Sequence, residues 1–217
     1  MRLKIEAAAP LSPGGGGGVA WGPYRPVFRR GGRPVLPGSS LKGRVRRAVE
    51  ALARDFGIRA CQPQASPTCG PDGCPVCRMF GSPRAPGGLR FWDTCLEEAG
   101  DRQAFEARSH VGLMRGTGSA YPRRLWLEER VGTPGCQYEA RITGIVERFD
   151  LGLLLAALRQ VEVIGGSGSR GTGWVTVRPA EVQWGGHTVD PSVLVKDFLA
   201  EVGRGAGGND PPAQDQP

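Results

Sequence analysis

Two kinds of hydrophobic repeat alternate along this chain, and their order limits the fold more than any other feature. In residues 2–8, Leu3, Ile5 and Ala7 alternate with Arg2, Lys4 and Glu6, which is the period of a half-buried strand. Leu41, Val45, Ala48, Val49, Leu52 and Phe56 then recur at helical spacing, predicting a helix over about 39–56 with Lys42, Arg44, Arg46, Arg47 and Arg54 on its polar sides. Ser39 or Ser40 is expected to cap its first turn. Residues 89–95 read as a strand, and so does 137–146, where Tyr138, Ala140, Ile142, Gly144 and Val146 share one face. Leu151, Leu154, Leu155, Leu158 and Val161 outline a second helix, with Asp150 expected as its cap. Trp174-Val175-Thr176-Val177 reads as the last main strand, trailed by a weak strand over 182–184 and a short helix over 191–201.

Between these segments lie excursions. Gly and Pro make up 54 of 217 residues, close to the level of about 25–30% at which low-complexity disorder must be considered. The 39% of apolar residues are concentrated in the periodic stretches, so a core is expected, surrounded by glycine-rich loops. Residues 10–38 hold nine glycines and six prolines and are expected to contain no regular element. Residues 57–88, rich in Cys, Pro and Gly, read as an insert held by something other than a core. Residues 105–137 place arginines among aromatics and glycines, as in a protruding hairpin, and 204–217 are expected to be a disordered tail. With the excursions removed the order is βαββαβ. The fold class expected is therefore α+β, a ferredoxin-like antiparallel sheet with two helices on one face, in one domain over 1–203.

The net charge of +7 favours polyanionic partners. Arg25, Arg29, Arg30, Arg33, Lys42, Arg44, Arg46 and Arg47 all fall between Glu6 and Glu50, a stretch without one carboxylate. Such cations repel one another unless an anion sits among them, and a nucleic-acid backbone would supply it. The helix start behind Gly38-Ser39-Ser40 adds free N–H groups and a favourable dipole. A solvated basic face is the plainer alternative. Gly165-Gly166-Ser167-Gly168-Ser169-Arg170-Gly171-Thr172-Gly173 holds five glycines in nine residues, which lets backbone approach a ligand closely while Ser167, Ser169 and Arg170 add bonds to phosphate. It lies between a helix and a strand, the reverse of a Rossmann fingerprint or P-loop. A tight turn is its plainer reading.

Cys61-x7-Cys69-x4-Cys74-x2-Cys77 supplies four soft ligands, enough to close a tetrahedral structural zinc site that folds the insert. The alternatives are reduced, unligated thiols or a redox pair, and the βαβ context of the latter is missing. Cys95 and Cys136 are expected to be small buried residues. Tyr121 and Trp126 are candidates for base stacking, with core packing as the alternative. His110 and His187 are each isolated in sequence. The chain has no signal-peptide core or membrane-spanning run, so a cytosolic location without membrane partners is expected.

Leu36-Pro37-Gly38-Ser39-Ser40-Leu41-Lys42-Gly43-Arg44 resembles a motif of the RAMP superfamily of CRISPR-associated proteins, in particular the backbone subunits of type III effector complexes. Cys74-Pro75-Val76-Cys77-Arg78-Met79-Phe80-Gly81-Ser82-Pro83, residues 89–94 and the Gly-rich loop at 165–173 are similar to further motifs of that family, in the same order. The resemblance implies a palm with a hairpin thumb, stacking beside relatives or copies of itself along a guide RNA. It also implies that Ser39, Ser40, Lys42, Arg44 and Arg46 hold guide phosphates while the loop supports the same strand, with target RNA and other effector subunits as further partners. Cleaving subunits of the family use an aspartate in the loop before this motif. Here that loop has Arg29 and Arg30 and no acid, so binding without cleavage at that position is expected. The competing readings are a RAMP-type endoribonuclease with His110 as base and a zinc-stabilised protein-interaction module.

Overall fold

A computed structural model describes residues 1–14, 24–61, 69, 73–96 and 105–205. Strand β1 (Arg2–Ala7) buries Leu3, Ile5 and Ala7 in strict alternation. After it come the short strands β2 (Tyr24–Arg25), β3 (Arg29–Arg30) and β4 (Arg33–Leu36), then helix α1 (Gly38–Asp55), which buries Leu41, Val45, Val49 and Leu52. Helix α2 (Pro75–Phe80) and strands β5 (Leu89–Phe91) and β6 (Thr94–Cys95) follow. Strands β7 (Phe105–Leu113) and β8 (Ala120–Val131) form a hairpin that leads to β9 (Gln137–Gly144) and α3 (Arg148–Leu158). A 3₁₀ turn (Gly168–Arg170), β10 (Val175–Glu181), β11 (Gln183–Trp184), β12 (His187–Thr188) and α4 (Pro191–Gly205) complete the order.

The principal sheet runs β10-β1-β9-β5, antiparallel at every pair. Its buried face (Leu3, Ile5, Ala140, Ile142, Val175, Val177) shares one core with α1 and with α3, whose Leu153, Leu154 and Leu158 are fully enclosed. The mixed α+β class expected from the periodicity is the class observed. Among the described residues no helix is long and apolar enough to cross a membrane.

Several local expectations are corrected. The stretch 10–38 contains a β3–β4 hairpin, made possible by Gly31 and Gly32 at φ +57° and +80°, and β4 pairs onward with β6. The strand expected over 89–95 is two strands in different sheets, because Trp92 and Asp93 leave the ladder between them. The insert does have a core contact, since Val76, Cys77, Met79 and Phe80 of α2 are buried in the main cluster. Neither serine caps α1. The helix starts one residue earlier behind Pro37, and the backbone N–H of Gly38 donates to Asp93 Oδ1 at 2.8 Å. Asp150 is not the cap of α3 either. It lies within the first turn, buried, where Arg78 donates to it at 2.7 and 2.9 Å. Cys95 is exposed, while Cys136 is buried. Helix α4 runs into the stretch expected as a tail, and residues 206–217 lie outside those described.

The β7–β8 hairpin meets the core only at its root, where Glu128, Glu129, Arg130 and Val131 are buried. Most of its outer half is exposed on both strands. A register shift after Val111 accompanies Arg123 at φ +59°, a left-handed backbone that few side chains adopt.

Candidate nucleic-acid interface and cysteine site

Helix α1 presents Ser39, Lys42, Gly43 and Arg47 on its polar sides, and neither Lys42 nor Arg47 has an ion-pair partner among the described residues. Arg44 reaches across 121 residues of sequence to donate to the Gly165 carbonyl at 2.8 Å. The helix and the glycine-rich loop are thereby one surface. The loop is anchored in turn by Gly166 N–H to Ser12 O (2.9 Å) and by Ser167, whose hydroxyl bonds to Glu128 at the hairpin root. Ser167 sits at φ +59°, which costs roughly 1–2 kcal/mol in a non-glycine residue and is offset here by that charge-assisted bond. Burial alone would raise the Glu128 carboxyl, but Ser167, Arg130 and His110 outweigh it and hold it below the usual range. Gly168 and Ser169 form the 3₁₀ turn with Arg170, and Arg170 donates to Ser167 Oγ at 3.1 Å.

The hairpin root adds a cationic cluster. Arg170 and Arg25 lie over the Trp126 ring at 5.4 and 5.8 Å from its centroid, while His110 stacks on it at 5.3 Å. Trp126 is thus occupied on its own protein, whereas Tyr121 is half exposed. His110 is enclosed, with Nε2 3.3 Å from a Glu128 oxygen.

Two sequence candidates are drawn inward. Arg29 forms a two-pronged pair with Glu129, one arm at 2.7 Å, and lies over Phe105. Arg46 bonds Glu50 at 2.8 Å and the Gly81 carbonyl at 3.1 Å, tying α1 to the end of α2. Arg30 pairs with Asp93 at 2.7 Å but remains largely exposed. Asp93 carries no local signal in the sequence, because the link between β5 and β6 brings it to a helix start 55 residues away.

Arg29 holds the Glu129 carboxyl below the usual range despite its burial, helped by the Val27 N–H. A lowered folded value stabilises the protein at pH values above the ordinary Glu range and ceases to do so as pH falls through the folded value. Glu129→Gln is therefore expected to lower the thermal midpoint at neutral pH. The gap to wild type should shrink on acidification, which thermal scans at a series of pH values would measure.

The four cysteine Sγ atoms of Cys61, Cys69, Cys74 and Cys77 lie within 4.8 Å of one another. Cys61 and Cys69 Sγ are 2.9 Å apart, too far for an S–S bond. The N–H groups of Cys61 and Cys74 donate to Cys74 and Cys69 Sγ, each at 3.4 Å, as they would to metal-bound thiolates. Bonds from the Cys61 side chain and the Cys74 N–H bring the Cys69 thiol down to about 7, while burial pushes Cys77 up to about 12. This donor set fits one tetrahedral thiophilic ion, whose zinc–sulfur bonds of about 2.3 Å set the sulfurs roughly 3.8 Å from one another, so the Cys61 and Cys69 atoms would move apart on binding. Arg78, one residue beyond Cys77, carries the site into the core. It bonds Gly73 O and the buried Asp150, whose carboxyl burial raises against the pull of Arg78.

The sequence model of the RAMP superfamily matches residues 4–176, and the chain belongs to this superfamily. It is also 29% identical, over 187 residues covering 75% of this chain and 77% of the relative, to the protein named CRISPR system Cms endoribonuclease Csm3 of Mycobacterium tuberculosis (strain ATCC 25618 / H37Rv).

Proposed function

We propose that this chain is a guide-RNA-binding backbone subunit of a cytoplasmic type III-like CRISPR ribonucleoprotein. In this reading residues 1–203 are one domain: a ferredoxin-like palm, a zinc-stabilised insert over 57–88 and the hairpin as thumb. The strand order β10-β1-β9-β5 with α1 and α3 on the buried face supports the palm. The observation that carries the function is the Arg44–Gly165 bond, which joins the basic helix to the glycine-rich loop in one cradle.

The chemistry is that of backbone grip. Lys42 and Arg47 neutralise phosphates, and the Ser39 and Ser40 hydroxyls donate to their oxygens. The loop offers backbone N–H groups with little steric bulk, and Arg25 and Arg170 extend positive charge to the hairpin root. Gly166, Ser167, Gly168 and Ser169 support the strand chiefly by shape, since Ser167 is already committed to Glu128. Other effector subunits, target RNA and copies of this chain are the remaining partners.

The relative's name speaks for endoribonuclease activity, so a cleaving reading has one observation behind it. Against it, residues 7–49 supply no carboxylate, and Asp93, the acid that meets the start of α1 among the described residues, has its two oxygens engaged by Gly38 N–H and Arg30. His110 as base is disfavoured by its enclosure between Trp126 and Glu128. We therefore read the subunit as binding without cutting at its own loop. Incubation with single-stranded RNA and a divalent cation is expected to leave the strand intact, and a discrete product lost in Asp93→Asn or His110→Ala would favour the enzyme.

Lys42→Ala is expected to weaken RNA binding for all sequences alike and reduce the salt slope by about 1, as loss of one phosphate contact does. Filter binding at several salt concentrations measures both. Unchanged affinity removes α1 from the interface, and absence of salt-dependent RNA binding in the wild type favours a protein-interaction module.

A further inference from the structure

Trp92 is half exposed, at 51% of its full surface. Single apolar side chains on a surface are ordinary, but three features set this one apart. First, the ring is fixed. Its Nε1–H donates to Thr143 Oγ1 at 2.9 Å, the Arg141 guanidinium lies over the ring at 5.9 Å, and its backbone N–H bonds Arg141 O at 3.0 Å. The preceding Phe91 stacks on Phe80, anchoring the strand below. Second, it adjoins the start of α1. A side-chain carbon at Gly38 would lie 3.0 Å from the Trp92 carbonyl carbon, and the next residue, Asp93, accepts the Gly38 N–H. Third, its surroundings are cationic. Arg90 is exposed opposite Thr143 in the ladder, Arg141 covers the ring, and Arg30 is two bonds of contact away through Asp93. Trp126, at the hairpin, is already covered by His110, Arg25 and Arg170.

We propose that Trp92 is a nucleobase platform, on which a base of the strand whose phosphate lies at the first turn of α1 stacks against the exposed part of the indole. The inference rests on the RNA-binding reading above and adds a contact that recognises the base rather than the backbone. An indole held by a hydrogen bond and a cation loses little freedom when a base settles on it, so the stacking energy goes into affinity. Because every base has a π-face, the contact tolerates sequence, as a subunit that serves many guides requires.

The test compares two probes, a single-stranded oligouridylate and the same strand with abasic riboses, on wild type, Trp92→Ala and Trp92→Phe. Trp92→Ala is expected to weaken oligouridylate binding about ten-fold, with the salt slope unchanged because no phosphate contact is lost. Trp92→Phe should recover most of that loss, and neither variant should change binding of the abasic strand. Equal losses on both probes, or none on oligouridylate, would overturn the platform while leaving the RNA-binding reading intact. Failure of the wild type to bind either probe would overturn both.

Discussion

Stripping the proposed zinc from the Cys61, Cys69, Cys74 and Cys77 cluster with a strong chelator is expected to undock α2 and loosen the start of α3, without melting the β7–β8 hairpin. The four thiols contribute little to a core on their own, and a structural zinc site is worth roughly 10–16 kcal/mol of apparent binding energy, as much as or more than the whole stability of a domain, about 5–15 kcal/mol. That energy reaches the core through α2, whose Val76, Met79 and Phe80 are buried, and through Arg78, which joins the Cys77 turn to Asp150. Freed of its anchor, Arg78 leaves Asp150 as an unpaired buried carboxylate, and such breaks cost about 3–5 kcal/mol. Hydrogen exchange should therefore show lost protection over residues 75–80 and 148–158, accompanied by a fall in thermal midpoint. Cys74→Ser should reproduce this and Cys95→Ser should not. Fresh protein that carries no zinc by metal analysis, or chelated protein with unchanged protection, would rule the site out.

A second large effect is expected from a single methyl group. At Gly38 a Cβ would fall 2.2 Å from the Phe91 carbonyl oxygen and 2.7 Å from its carbon, both backbone atoms that cannot swing aside. Gly38→Ala must push α1 off β5 and break the Asp93 bond. Overpacking of this kind costs about 1–3 kcal/mol and occasionally more, and with the lost bond a drop in thermal midpoint of roughly 6–12 °C follows for a chain of this size. Gly43, five residues on, is the contrast. Nothing lies within 4 Å of its would-be Cβ, and it sits exposed in the middle of α1. Gly43→Ala should therefore stabilise the free protein by about 0.5–1 kcal/mol. Packing among the described residues gives no reason for glycine there, but the proposed close passage of an RNA backbone does, so the same variant should bind RNA more weakly. Stabilisation with undiminished affinity would mean that the strand does not run over Gly43.

The parts of the molecule legible in the sequence are those whose cause is local. Alternation in β1 and β9 and the 3.6-residue repeat in α1 report burial directly, so class and element order followed from them. The cysteine spacing likewise announced a cluster. The β3–β4 hairpin was hidden because its glycines and prolines look like loop punctuation, while the partner that makes β4 a strand, β6, is about 60 residues away in sequence. The fates of the cations divide in the same way. The Arg46–Glu50 pair is an i, i+4 spacing visible in the string, but Arg29–Glu129 and Arg44–Gly165 are products of the fold. The expected serine cap failed for this reason too. Serine at a helix start is a local signal, and a carboxylate arriving from the link between β5 and β6 overrode it.

Cys95 gives the fold a practical handle. Cys74, Cys77 and Cys136 are buried, and Cys61 and Cys69 complete the proposed zinc cluster, so with zinc bound there Cys95 is the one thiol left exposed. It lies two residues beyond Asp93, whose carboxylate accepts the Gly38 N–H at the start of α1, beside the proposed cradle. A maleimide fluorophore attached there without any engineered mutation would sit beside whatever strand enters, and would report its arrival and departure in real time.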